Sequence, residues 1–205
     1  MRYPARERDA IERRMTRTRT LALAGVLSLI ASAWLAAPAS AQRDSRALYF
    51  GVGIGPHVLF DCCDVHARST FEFGWHPSGN TTGFFLAATG AFTFGRDYFM
   101  FYGGARLGGD IEVYEGRDFA VLLRPSGVAA IGVFDYDGPR DGNAMFLAQA
   151  AFDVKFALLQ RFLHVWVRPV AFDFMFGRDV DPRDFDNDDD FAFAYGVVGG
   201  VDFAF

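Results

Sequence analysis

The chain ends on YGVVGGVDFAF, residues 195–205. The stretch alternates with period two, because one parity carries bulky apolar side chains and the other carries small residues and Asp202. This alternation is typical of a β-strand whose two faces meet different surroundings. It predicts a last strand with one apolar face that finishes on an aromatic side chain. The bulkier parity consists of Tyr195, Val197, Gly199, Val201, Phe203 and Phe205.

The first 41 residues have the pattern of an export signal. Residues 1–20 contain seven Arg and three acidic residues, and residues 21–37 are apolar apart from Ser28 and Ser32. Residues 39–41 then read Ala-Ser-Ala, the small-x-small pattern that precedes signal cleavage. We therefore expect a signal peptide at 1–41 and one domain at 42–205. An uncleaved anchor is the alternative, and Met15 is an alternative start to Met1.

The composition of residues 42–205 indicates a surface that does not face water. The segment has 13 Lys and Arg against 22 Asp and Glu, hence a formal net charge of −9. It holds all 24 Phe but a single Lys, Lys155, whereas soluble acidic domains keep many Lys and Glu on their surfaces. It contains no basic cluster, so nucleic-acid binding is excluded on electrostatic grounds.

Eight segments of residues 42–205 alternate with period two and are separated by turn residues. Such segments are the sequence signal of a membrane β-barrel. The predicted strands are Leu48–Leu59, Thr70–His76, Phe84–Phe94, Tyr98–Tyr114, Phe119–Phe134, Met145–Leu158, His164–Phe176 and Phe191–Phe205.

The charged residues of these segments avoid the Phe-rich parity. A charge at the lipid midplane costs ~2–4 kcal/mol. A strand face without charged residues therefore predicts a side that faces lipid, and the opposite face predicts a polar interior. The seventh segment is an exception, because Arg168 and Asp173 have opposite parities on either side of Pro169. Either a bulge lies at Pro169, or Asp173 lies above the hydrocarbon. The expected interior ion pairs involve Glu72, Arg106, Asp110, Glu112, Arg124, Asp153, Lys155, Arg168 and Asp202.

The chain resembles the small eight-stranded outer-membrane proteins of Gram-negative bacteria, with the architecture of the OmpA membrane domain and the OmpX-like proteins. Tyr195, Val197, Val201, Phe203 and Phe205 resemble the C-terminal signal that the barrel-assembly machinery recognises. The resemblance implies an all-β, eight-stranded antiparallel up-and-down transmembrane barrel in the outer membrane. It also implies a monomer without cofactor, in contact with membrane lipid and lipopolysaccharide.

The same resemblance implies an orientation, with both termini in the periplasm. Loops at about 61–69, 95–97, 135–143 and 177–190 would then lie outside the cell. Turns at about 77–83, 115–118 and 159–162 would lie in the periplasm.

Two loops contain weak candidates for metal binding. Asp184, Asp186 and Asp188 match the first three ligand positions of a calcium loop, but the turn glycine and the bidentate Glu are missing. A solvated acidic loop is the alternative. The adjacent Cys62 and Cys63 lie between His57 and His66, and they could form a strained disulfide, remain free thiols or ligate a metal.

No catalytic constellation is convincing. The nearest set of nucleophile, base and acid is Ser69, His66 and Glu72, but Ser69 and Glu72 fall on opposite faces of an extended segment. We therefore expect a structural or surface-interaction barrel with an occluded polar interior, since an eight-stranded lumen is just wide enough for side chains to fill. A lipid A-modifying acyl hydrolase or transferase and a narrow pore are the alternatives.

Overall fold

The structure is a computed structural model that describes residues 46–59, 65–95, 98–136, 143–177 and 191–205. Eight strands account for nearly all of these residues. They are β1 Leu48–Leu59, β2 Val65–Trp75, β3 Gly83–Phe94, β4 Tyr98–Glu115, β5 Phe119–Tyr136, β6 Asn143–Leu158, β7 Leu163–Gly177 and β8 Phe191–Ala204.

The strands form one closed barrel in which each strand pairs antiparallel with its sequence neighbour and β8 pairs with β1. The Leu48 amide donates to the Phe205 carbonyl at 3.0 Å, and the Phe205 amide donates to the Leu48 carbonyl at 2.9 Å. We call this end of the barrel the terminal end and the opposite one, near Leu59 and Val65, the loop end. The predicted eight-stranded antiparallel up-and-down barrel is confirmed.

The two parities of each strand have opposite surroundings, because a closed sheet has an inside and an outside. The outside carries a band of exposed apolar side chains, among which Ile131 is 73% exposed and Ile54 65% exposed. Charged side chains lie inside, where Arg124 is 1% exposed. An apolar exterior over a closed hydrogen-bond ladder is what a bilayer requires of a spanning sheet. Across the described ranges, no helix is long and apolar enough to cross a membrane.

Strand β2 begins earlier than predicted. It starts at Val65 instead of Thr70, so the predicted loop at 61–69 is wrong over its second half. Residues 65–69 pair with the end of β1, where His57 is opposite His66 and Gly55 is opposite Arg68. The polar side chains of His66 and Arg68 suggested a loop, but they continue the inward parity of the strand.

The predicted bulge at Pro169 is confirmed. The register shifts between Arg168 and Ala171 against β8, and between Phe152 and Val154 against β7. Proline has no amide hydrogen to donate to a ladder, so it tolerates this position. The extra residue restores the inward direction of Asp173, and both Arg168 and Asp173 are buried in the interior.

Several sequence predictions fall on residues outside the described ranges. They are the signal peptide at 1–41, Cys62 and Cys63, and the acidic loop with Asp184, Asp186 and Asp188.

Candidate functional site in the barrel interior

The described residues of the barrel interior bury equal numbers of opposite charges. Among the described residues, five cationic and five anionic side chains are buried, so their formal charges cancel when the histidines are neutral. A buried charge is very costly unless it is paired and hydrogen-bonded. The cations are Arg68, Arg106, Arg124, Lys155 and Arg168, and the anions are Glu72, Asp110, Asp153, Asp173 and Asp202.

Arg124 occupies the centre of the larger network. Its Nε and Nη2 donate to the two carboxylate oxygens of Asp110 at 2.6 and 2.5 Å. Its Nη1 donates to Glu72 Oε1 and to the Tyr49 hydroxyl oxygen, both at 3.1 Å. The guanidinium carbon also lies 4.1 Å from the centroid of the Phe85 ring. Bidentate pairing and stacking together fix the guanidinium in one orientation.

Arg106 and Arg168 extend this network towards β6. Arg106 Nη1 donates to Glu72 Oε2 at 2.6 Å, and its Nη2 donates to Asp153 Oδ2 at 2.6 Å. Arg168 also binds Asp153 with two nitrogens, at 2.6 and 3.1 Å. Ser126 Oγ accepts from Arg106 at 2.8 and 3.0 Å, so Arg106 has three acceptor residues and Arg168 has both oxygens of Asp153.

Lys155 connects the network to β8. Its Nζ lies 2.8 Å from Asp202 Oδ2 and 3.7 Å from Asp110 Oδ2. His76 Nε2 lies 2.9 Å from the same Asp110 oxygen. Asp110 is therefore shared by Arg124, Lys155 and His76. Asp202, in contrast, pairs with Lys155.

A second cluster lies nearer the loop end and is centred on Asp173. The carboxylate accepts from Arg68 and from Gln149 Nε2, the latter at 2.6 Å, and lies 3.1 Å from His57 Nε2. Arg68 also donates to Thr93 Oγ1 at 3.3 Å. Sequence reasoning missed Arg68, although the period-two pattern continued through it.

Glu112 lies apart from both networks. Its carboxylate lies 2.5 Å from Arg161 of the β6–β7 turn, and its side chain is 15% exposed. The register of β4 against β5 shifts just after Glu112, close to the end of the strand. The structure thus places Glu112 at the terminal rim, and not in the deep ion-pair network where we expected it.

An apolar layer shares the loop-end half of the interior with the Asp173 cluster. The three Met of residues 42–205, which are Met100, Met145 and Met175, lie in one buried cluster with Leu147 and Phe134. Methionine is flexible and fills irregular gaps between larger side chains. Sequence analysis did not identify this layer, because its residues share a parity with the interior charges.

The catalytic candidates do not come together within the described residues, and the metal candidates Cys62, Cys63, Asp184, Asp186 and Asp188 lie outside those residues. His66 and Glu72 face the interior, whereas Ser69 shares the outward parity of Phe71. In the part of the chain that the structure describes, no group of three or more His, Cys, Asp or Glu side chains could hold a metal ion.

An apolar exterior around a closed eight-stranded ladder, with a paired charged interior, defines the class of small transmembrane β-barrels. A search of solved structures found the same fold in Neisserial surface protein A (NspA). That structure has a TM-score of 0.51 and 8% sequence identity, and the match covers 79% of this chain and 98% of NspA. No family model and no curated protein matches the chain. At this identity the likeness concerns the fold, which is that of the small eight-stranded outer-membrane barrels.

Proposed function

We propose that the protein is a structural or surface-interaction barrel of the bacterial outer membrane, with an occluded interior and with its loops presented outside the cell. The observation that carries this proposal is the set of ion pairs that cross the lumen. Loops on a rigid scaffold commonly carry binding functions.

The ion pairs join strands that are not neighbours. Arg124 of β5 binds Tyr49 of β1 and Glu72 of β2. In a ring of eight strands, β1 and β5 are opposite walls, so this contact spans the whole lumen. Arg68 of β2 likewise binds Asp173 of β7 across two intervening strands. Side chains that bridge opposite walls occupy the space through which an ion would have to pass.

The apolar layer of Met100, Met145 and Met175 supports occlusion independently. It belongs to a buried cluster nearer the loop end, beyond the larger network. An ion crossing the lumen would have to leave water both at the charged network and at this apolar layer, which is costly. These two layers favour a plugged barrel over a narrow pore.

Location and partners belong to the same proposal. The apolar exterior and the NspA-like fold support placement in the outer membrane, in contact with lipid and lipopolysaccharide. We further propose that the chain is assembled by the barrel-assembly machinery through Tyr195, Val197, Val201, Phe203 and Phe205, and that it acts as a monomer.

Conductance in planar lipid bilayers tests the proposal. The purified protein should give no ion current. The double variant Glu72→Ala, Arg124→Ala removes both ends of a cross-lumen pair without changing the net charge, and it should conduct only when Met100, Met145 and Met175 of the apolar layer are also replaced by Ala. Phe152→Ala on the outer face is the matched control and should stay silent. Steady ohmic current through the unaltered protein would support the narrow pore instead.

The enzymatic alternative needs a separate measurement. Lipid A from cells with and without the gene should give the same mass spectrum. A loss or gain of one acyl chain that depends on the protein would contradict a structural role.

A further inference from the structure

The contact between β1 and β8, which closes the barrel, is divided into two parts. On the terminal side, six consecutive pairs join residues 49–54 of β1 to residues 199–204 of β8. The ladder is interrupted at the next two residues of β1, and three further pairs then join residues 57–59 to residues 194–196. We call these three pairs the loop-side seam.

Pro56 explains the interruption. Leu48 and Phe205 exchange both of their backbone hydrogen bonds, and in an antiparallel ladder every second pair does so. The same register places Pro56 opposite Val197 as such a pair, but proline has no amide hydrogen to donate to the Val197 carbonyl. A Cβ at Gly55 would lie 1.9 Å from that carbonyl oxygen, so the oxygen occupies space that only a glycine leaves open.

The ladder on the other side of Val197 is irregular as well. The register of β7 against β8 shifts between Arg168 and Ala171, so Pro169 and Val170 both lie opposite Val197. A bulge of this kind disrupts the ladder locally and bends its strand. Val197 is therefore flanked by a proline on one side and by a bulge on the other, and it is a position at which β8 can bend.

Side-chain contacts attach the loop-end half of β8 to β7. The ring centroids of Phe191 and Phe176 are 5.2 Å apart, and those of Phe193 and Phe174 are also 5.2 Å apart. These rings add to the ladder pairs between the two strands. A bend at Val197 therefore moves the ends of β7 and β8 together, away from β1, and opens the loop-side seam.

Asp173 closes the loop-side seam from the inside. It lies on β7, whereas its partners His57 and Arg68 lie on β1 and β2, beyond β8. These contacts pass close to Gly196 of β8, because a Cβ there would lie 3.6 Å from Arg68 Nη1 and 3.7 Å from His57 Cδ2. The Asp173 carboxylate thus ties β7 directly to β1 and β2, at the height where β1 and β8 share three ladder pairs.

We propose that the loop-side seam is a lateral gate in the barrel wall, hinged at Val197 and held shut by the Asp173 carboxylate. The gate faces lipid, and its inner lining is apolar, since Leu59 and Ala194 belong to the buried cluster that contains Met175. Opening therefore exposes the apolar layer to membrane hydrocarbon. This inference goes beyond the occluded scaffold, because occlusion concerns the path along the barrel axis, whereas the gate lies in the wall.

Amide hydrogen exchange of the full chain in lipid nanodiscs tests the gate. Local opening makes amides exchange faster than the rest of the structure. The amides of the loop-side seam should exchange faster than those at the loop end of the β3–β4 contact, residues 92–94 and 99–101, which is paired without interruption from Gly83 to Phe94. Equal exchange at the two places would mean a sealed seam and would overturn the proposal.

Asp173→Asn tests the latch. It should speed exchange at the loop-side seam by about ten- to a hundredfold, the range expected when hydrogen bonds to a charged group are lost. Asp153→Asn is the matched control, because Asp153 is equally buried but pairs with Arg106 of β4 and Arg168 of β7. It should not single out the loop-side seam, and equal effects of the two variants at that seam would contradict a latch at Asp173.

Pro56→Val tests the interruption of the ladder. It supplies the missing amide hydrogen and should slow exchange at the loop-side seam by about two- to tenfold, the effect of one added hydrogen bond. Pro125→Val in β5 is the control and should leave the loop-side seam unchanged. Unaltered exchange in Pro56→Val would argue against the gate, and this comparison decides the question if Asp173→Asn does not fold.

Discussion

Replacing Lys155 with Met should destabilise the barrel by leaving Asp202 without a partner. At an effective dielectric constant of about 20, the Coulomb attraction of Lys155 Nζ is about 6 kcal/mol for Asp202 at 2.8 Å and about 4.5 kcal/mol for Asp110 at 3.7 Å. Part of this attraction is offset by the cost of removing Lys155 from water. Loss of one partner of a buried pair typically costs about 3–5 kcal/mol, and we expect the free energy of unfolding to fall by that amount.

A second substitution identifies the partner. Asp202→Asn in the Lys155→Met background should restore most of the lost stability, because it removes the unmatched carboxylate. The coupling in the double-mutant cycle should fall at about 0.5–3 kcal/mol, the range for residues in contact. Asp110→Asn in the same background is the matched control and should destabilise further, because Asp110 also holds Arg124 with both oxygens.

Urea unfolding in lipid vesicles, followed by tryptophan fluorescence and by gel mobility, measures these differences. Lys155→Met with unchanged stability would refute the ion-pair reasoning. Rescue by Asp110→Asn as large as that by Asp202→Asn would show that the pairing in the interior differs from the structure.

Three further predictions concern the strand faces, the bulge and assembly. Phe152→Arg should lower the unfolding free energy in vesicles by ~2–4 kcal/mol, since Phe152 lies on the outer parity in the middle of β6. If the Phe152→Arg variant folds normally and the Ala151→Arg variant does not fold, the inner and outer faces are assigned the wrong way round. Tyr195→Phe should lower the free energy of unfolding by about 1–3 kcal/mol, because the Tyr195 hydroxyl donates to the Pro169 carbonyl that the bulge leaves out of the ladder. Unchanged unfolding in urea would argue against that role of Tyr195. Phe205→Lys should reduce the amount of folded barrel in outer-membrane fractions, and normal surface levels would count against an assembly signal.

The strands were predictable because lipid imposes one rule on every outward position. A charge outside costs several kcal/mol near the midplane, so the parity of Arg106, Asp153 and Lys155 revealed the inward face of their strands. That rule weakens towards the strand ends, where solvent is close. The start of β2 was therefore missed, because His66 and Arg68 lie in the part of the strand where the pattern resembles a polar loop.

The ion-pair partners were not predictable from the sequence. The two-residue alternation tells which face of the sheet a side chain occupies. It does not tell the position of that side chain along the barrel axis or its neighbour across the lumen. Tyr49 and Arg124 are separated by 75 positions, and Arg68 and Asp173 by 105, so their contacts depend on closure of the ring and on the bulge at Pro169. Glu112 is a second example. Its parity predicted an interior position, but its position along the barrel axis places it at the terminal rim, next to Arg161.

The mobility of the unheated protein in SDS gels tests the central claim, a closed barrel in the outer membrane, most directly. A closed ladder has no free edge at which the detergent can begin to separate the strands. We predict that the protein is recovered in the outer-membrane fraction of the cells and migrates differently before and after boiling, with all of the unheated sample in the folded band. Identical migration in both lanes, with the protein recovered in the soluble periplasmic fraction, would contradict a closed membrane barrel.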